Sequence, residues 1–140
     1  SRRSRKAACR TLQSSSMRQA ALRDRLEAGL LAALPGMHIY GQMAARLPNT
    51  TCLRVAELDA DLVLSRLERA GVLASSGAAC SAGGTQPSHV LLAMGESAAR
   101  AKAAVRLSLG ADTTADEIEI ALAAMVRSLA PLLQDMAEAA

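Results

Sequence analysis

Cys80 stands in Ser75-Ser76-Gly77-Ala78-Ala79-Cys80-Ser81-Ala82-Gly83-Gly84, a run of small residues that leaves a thiol reachable. A cysteine kept for packing normally sits among large apolar neighbours. A thiol that attacks must instead be accessible, ionised and supported by positive potential. Gly77, Gly83 and Gly84 supply the access, but no Lys, Arg or His lies within eight residues of Cys80. Any activating group must come from elsewhere in the fold or from a cofactor, and the pattern alone leaves an incidental surface cysteine equally open. Arg106 is the second residue of interest, an arginine inside the apolar run Ala104-Val105-Arg106-Leu107-Ser108-Leu109. Its planar fork suits two-point binding of a carboxylate, and an unpaired charge would be costly if buried. It reads either as a clamp on a substrate carboxylate or as a rim residue with its head in solvent.

The remaining chemistry-bearing residues carry less. His89, nine residues after Cys80, is a candidate base toward it, but a packed or exposed histidine accounts for it as well, and His38 carries no signal. Cys52 lies in a strand pattern and reads as a small core residue, and Cys9 in a basic head as a bystander. Three cysteines without a Cys-x-x-Cys pair fit neither a disulfide framework nor a zinc site, so a reducing, cytoplasmic setting is expected. Met17, Met37, Met43, Met94, Met125 and Met136 are dispersed, mostly at helical core positions, and form no metal-binding cluster.

These residues need elements to position them. Leucines at 22, 26, 30 and 34 predict a helix from about Met17 to Leu34, ended by Pro35-Gly36. Met37–Tyr40 and Asn49–Ala56 read as strands, with Thr51, Leu53 and Val55 alternating. Asp59 or Asp61 can cap a helix running to about Ala70, with Gly71 just beyond its end. Val72–Ala74 reads as a brief strand leading into the Cys80 loop. Pro87 suits the first turn of a helix through Met94, stopped by Gly95, and Ser97–Lys102 reads as another short helix. Ala104–Leu109 alternates as a strand. Thr114-Ala115-Asp116-Glu117 is a capping box opening a last helix with an apolar stripe through Ile118, Leu122, Met125, Val126, Leu129 and Leu133. The class is α+β or α/β, with α+β preferred: a short sheet of three or four strands packed against about five helices.

The length of 140 residues suits one domain, and 51% of them are apolar, so a core can form. Tyr40 is the one aromatic, so that core must rest on Leu, Val, Ile and Met. No apolar run looks long enough to span a membrane. Five of the basic residues lie in positions 1–10, which leaves residues 11–140 with a net charge of −2 against +3 for the whole chain. The basic character is local, and a nucleic-acid-binding stripe with interleaved aromatics is absent. Residues 1–16, rich in Arg and Ser, read as a linker or ragged terminus, and residues 17–140 as the folded domain.

In Leu47-Pro48-Asn49-Thr50, Ser75-Ser76-Gly77-Ala78-Ala79-Cys80-Ser81-Ala82-Gly83, Pro87-Ser88-His89-Val90-Leu91-Leu92-Ala93-Met94-Gly95, Val105-Arg106-Leu107-Ser108-Leu109-Gly110 and Thr113-Thr114 with Glu117-Ile118, the chain resembles the C-terminal part of a cysteine desulfurase. Cysteine desulfurases are class V aminotransferase-family enzymes, and the loop is similar to that of the NifS/IscS-like group. The resemblance implies the small C-terminal domain of a fold-type I pyridoxal-phosphate enzyme, with a mobile Cys loop over 75–86. It implies Cys80 as the nucleophile that takes sulfur from L-cysteine as a persulfide, leaving L-alanine, and Arg106 as the grip on the substrate carboxylate. It further implies a sulfur acceptor or iron–sulfur scaffold protein as partner, and a homodimer for the full-length enzyme.

The chain also departs from the family. Its only lysines, Lys6 and Lys102, neither follow a histidine nor sit in a cofactor motif. No cofactor-binding residue is therefore assigned, and pyridoxal phosphate is expected in a domain outside these residues, so that the chain does not act alone. A non-enzymatic sulfur-relay or scaffold-docking domain, or an inactive remnant, are the alternatives. Arg54–Asp59 stands where the family usually has an aromatic and a glycine, and Ala111 replaces a frequent arginine.

Overall fold

Residues 2–28 contain neither glycine nor proline and are rich in Arg and Ala, both good helix formers. In the computed structural model, which describes residues 2–77 and 86–139 and side chains from Leu12 onward, α1 accordingly spans Arg2–Ala33. The helix begins well before Met17, so residues 2–16, expected as a linker or ragged end, continue it. Arg18 ties it to the body by donating to the carbonyl oxygens of Thr113, at 2.6 Å, and Ala111.

Among the described residues the order is α1, β1 (Met37–Ile39), β2 (Thr50–Val55), α2 (Ala60–Arg69), β3 (Ser75–Ser76), α3 (His89–Ala93), α4 (Ala98–Lys102), β4 (Val105–Ser108) and α5 (Ala115–Ala139). The expected α+β class holds, with five helices against one antiparallel sheet ordered β1-β2-β4-β3. Strand alternation sends residues to opposite faces of that sheet. On one face Leu53, Val55, Val105 and Leu107 pack with Leu22, Leu26 and Leu30 of α1, Val63 and Leu67 of α2, and Ile118, Met125 and Leu129 of α5. On the other, Tyr40, Leu91, Ala101 and Ala104 form a smaller cluster with Cys52 at its edge.

Caps set the ends as the sequence predicts. Asp59 accepts from the Asp61 amide at 2.9 Å, and Gly71 follows α2 at φ +81°. Thr114 and Glu117 exchange the reciprocal bonds of a capping box, and those bonds hold the Glu117 carboxyl below its usual range.

Three elements differ from expectation. Val72–Ala74 is not a strand, because only Ser75 and Ser76 meet partners on β4. Its alternation instead reflects Val72 and Ala74 leaning on the core while Leu73 is exposed. Pro87 precedes the α3 N-cap rather than entering the first turn, because the Ser88 hydroxyl accepts from the Leu91 amide. The methionines are mostly outside the core: Met125 is fully buried, whereas Met17, Met43, Met94 and Met136 are exposed. In addition, α5 is long and apolar enough to cross a membrane by length and composition, contrary to the expectation, although Ile118, Met125 and Leu129 bury its stripe in the core.

Ala56 carries φ +47°, the left-handed region that disfavours a Cβ, and its amide donates to Gly36. This strain falls inside the Arg54–Asp59 departure. Because a left-handed alanine costs about 1–2 kcal/mol and glycine gives part of that back as chain entropy, Ala56→Gly is expected to stabilise the fold by about 0.5–1 kcal/mol. A higher urea midpoint at unchanged slope is the check.

Candidate functional site

The second face of the sheet brings the sequence-distant residues together. Tyr40 donates its amide to the Cys52 carbonyl, Cys52 is the cross-strand partner of Arg106, and Arg106 of Ser75. Cys52, Arg106 and Ser75 therefore form one row across β2, β4 and β3, extended by Tyr40 just past the end of β1. Arg106 is exposed, and its side chain makes no ion pair or hydrogen bond to another described residue. Of its two sequence readings, the one with the head in solvent matches its exposure here.

That cleft, about 380 Å³, is lined mostly by apolar atoms and includes Tyr40, Arg46, Cys52, Gly77, Ser88 and Met94. Gly77 and Ser88 matter most, because they flank the segment that carries Cys80. Cys80 itself lies outside the described residues, as does the rest of 78–85. Gly77 is pinned by its amide, which donates to Ala104 at 2.7 Å, and a Cβ there would lie 2.7 Å from the Ala104 Cβ. Ala104 is fully buried and cannot yield, so only glycine lets the chain leave β3 at this height. Ser75 and Ser76, expected within the Cys80 loop, are the last strand residues before that exit.

Cys52 is half-buried rather than a core residue. Burial pushes its thiol pKa up, and the nearby Arg106 guanidinium draws it partly back down. A buried, protonated thiol is a poor nucleophile. His89 is exposed at the start of α3 and His38 stacks edge-on against Tyr40 with ring centroids 4.7 Å apart. Neither forms part of the Cys52–Arg106 row. The side chain of Cys9 lies outside the described residues.

The cleft wall rests on a buried ion pair that the sequence did not signal. Arg46 donates twice, at 2.6 Å each, to the Glu27 carboxylate, and Glu27 is 2% exposed. The pairing raises the Arg46 pKa further still. Arg23, also buried, donates to the Leu47 carbonyl at 2.6 Å, so α1 grips the loop before β2 at two points. An acid and an arginine nineteen residues apart have no recognisable spacing.

The described residues do not fit a pyridoxal-phosphate site. Lys102 is exposed on α4 and is not among the residues lining the cleft, and the side chain of Lys6 lies outside the described residues. What the site offers is an exposed arginine beside Cys52 on the sheet, an apolar cleft that Cys52 lines, and the two attachment points of a cysteine-bearing segment.

Comparison with known proteins identifies the relatives of the chain. The profile of the family described as Aminotransferase class-V matches residues 8–121. The chain is 46% identical over 115 residues to a cysteine desulfurase of Rhodobacter capsulatus, covering 82% of this chain and 30% of the relative. It is 38% identical over 116 residues to the cysteine desulfurase NifS of Azotobacter vinelandii, covering 83% and 28%. Among solved structures it resembles a NifS-like protein from Rickettsia africae, with a TM-score of 0.69 and 30% identity over 82% of this chain and 29% of that one. The chain thus spans under a third of the length of these relatives.

Proposed function

Since the chain belongs to the class-V aminotransferase family, we propose that it works as the C-terminal part of a cysteine desulfurase. In this reading Cys80 receives sulfur from L-cysteine as a persulfide, L-alanine leaves, and the sulfur passes to an acceptor such as an iron–sulfur scaffold protein. Pyridoxal phosphate belongs to the complete enzyme and is held outside the described residues, and the complete enzyme is a homodimer. A reducing cytoplasm suits a thiol that must stay free between turnovers.

One observation carries the proposal: Gly77 and Ser88, the flanks of the Cys80 segment, line the same cleft as Cys52, the cross-strand partner of Arg106. The attachment points of the Cys80 segment thus lie beside Cys52, the strand neighbour of the arginine that this reading assigns to the substrate carboxylate. The direct test supplies the chain with a cofactor-bearing desulfurase portion and L-cysteine, then maps the peptides by mass spectrometry. A mass increase of one sulfur atom on the Cys80 peptide supports the reading, and its absence under conditions of sulfide release refutes it. Sulfur reaching Cys80 only from an already persulfidated partner enzyme would instead support the relay reading.

Arg106 gives a second handle. Lysine keeps the charge but not the planar two-point fork, so Arg106→Lys is expected to raise KM for L-cysteine by about 10- to 100-fold. The kcat should stay within a few-fold, since the grip acts on bound and reacting substrate alike. Steady-state kinetics of alanine formation separate the two.

A further inference from the structure

Leu73 and Ile120 are large aliphatic residues left 83% and 68% exposed, and both line one groove of about 370 Å³. The groove opens where the end of α2, the end of β4 and the first turns of α5 meet. It reaches the core, because Leu26, Leu107, Ile118 and Met125 also line it and all four are buried. Its lining is mostly aliphatic, on the opposite face of the sheet from the Cys52 cleft.

The groove exists because the sheet stops short there. β3 pairs with only Val105 and Arg106 of β4, so Leu107 and Ser108 have strand partners on β2 alone. The end of α2 is the cause. Gly71, at φ +81°, and Val72 close a Schellman motif, their amides donating to the Glu68 and Leu67 carbonyls at 2.9 Å each. The motif holds Val72 at the helix end, and the chain joins β4 only from Ser75 onward. An open sheet edge beside an apolar groove is a surface on which another chain docks.

The charges on its two walls select the occupant. On the α2 wall Arg66 stands one turn before Ala70, which lines the groove, and Arg69 follows in the same last turn. Glu68 lies between them in sequence but on another face of the helix. On the α5 wall Asp116 stands one turn before Ile120, next to Glu117, which also lines the groove. Arg66, Arg69 and Asp116 are exposed, and their side chains make no ion pair or hydrogen bond to another described residue. One wall is therefore basic and the other acidic. A two-fold axis along the groove lays the α2 wall of one copy on the α5 wall of the other, so opposite charges meet twice. The same rotation brings Leu73 of each copy against Ile120 of its partner, over both grooves.

We propose that this groove is a self-association surface, on which two copies of the chain pair two-fold symmetrically, burying Leu73 and Ile120 and matching Arg66 of one copy with Asp116 of the other. Such a contact uses the same patch on both copies and closes at two. The pairing does not depend on the sulfur chemistry assigned to Cys80, so it can fail while that chemistry stands.

Sedimentation equilibrium of the chain, in reductant so that no disulfide contributes, is expected to show a concentration-dependent monomer–dimer equilibrium and no larger assembly. Leu73→Asp and Ile120→Asp should each weaken it by about 30-fold or more, the size of a central interface contact. Both residues are exposed in the single copy, so melting at concentrations where the parent is monomeric should be unchanged. Arg66→Glu and Asp116→Arg should each weaken association by about tenfold, because each sets like charges together twice. An equimolar mixture of those two variants should recover the parental affinity, since every mixed pair restores opposite charges at both contacts. A chain that stays monomeric, assemblies beyond two copies, or a dimer untouched by Leu73→Asp and Ile120→Asp overturns the proposal, as does a mixture that pairs no better than its components.

Discussion

Cys80→Ser is expected to abolish persulfide formation and to reduce sulfur transfer by about a thousandfold or more, while substrate affinity stays close to that of the parent. The argument is chemical. The attacking species is a thiolate, and a serine hydroxyl in the same place is neither appreciably ionised at neutral pH nor able to hold a second sulfur. Affinity is expected to persist because the substrate carboxylate is assigned to Arg106, on a separate strand. Cys52→Ser is the internal control. That thiol is half-buried and its pKa is pushed up by burial, so its loss should leave turnover within a few-fold. Radiolabelled sulfur from L-cysteine, counted on each variant, decides between the two cysteines. If Cys52→Ser abolishes labelling and Cys80→Ser does not, the nucleophile assignment is wrong.

Arg46→Ala is expected to cost about 3–5 kcal/mol of stability, a large share of what a domain of this size possesses. The truncation leaves Glu27, 2% exposed, as an uncompensated buried carboxylate in place of one held by two bonds of 2.6 Å. The comparison variant is Glu27→Leu with Arg46→Leu. Removing both charges at once takes away the Coulomb gain and the desolvation cost together, and such replacements are often close to neutral. The double variant should therefore be more stable than Arg46→Ala alone. Chemical denaturation of the three proteins measures the difference. A loss below about 1 kcal/mol for Arg46→Ala would show that the pair behaves as a surface salt bridge. Since Arg46 also lines the Cys52 cleft, the same substitution is expected to loosen the site before the whole fold melts.

Much of the architecture is legible in local spacing. The leucines at 22, 26, 30 and 34, the Asp59 and Thr114 caps, the glycines after α2 and α3, and the alternation of Val105 and Leu107 each act within a turn or a strand, and each appears where the pattern places it. The limits of that reading are local too. The start of α1 is misplaced because charge and serine content suggest a solvated tail, although nothing there breaks a helix. Val72–Ala74 alternates without pairing because alternation reports burial, whereas a strand also needs a ladder partner.

The site divides along the same line. The small-residue run around Cys80 and the arginine set in an apolar strand single out both residues from residue chemistry alone, but leave open an incidental thiol and a rim arginine; only the family resemblance implies their roles. That Arg106 lies beside Cys52 and Ser75, that Gly77 and Ser88 flank one cleft, that Glu27 holds Arg46, and that Tyr40 holds Glu96 follow only from folding. Periodicity encodes which face a residue takes on its own element. The Glu27–Arg46 pair joins residues 19 positions apart and the β2–β4 register residues up to 58 apart, and no local interaction can select among such partners until the core brings the elements together.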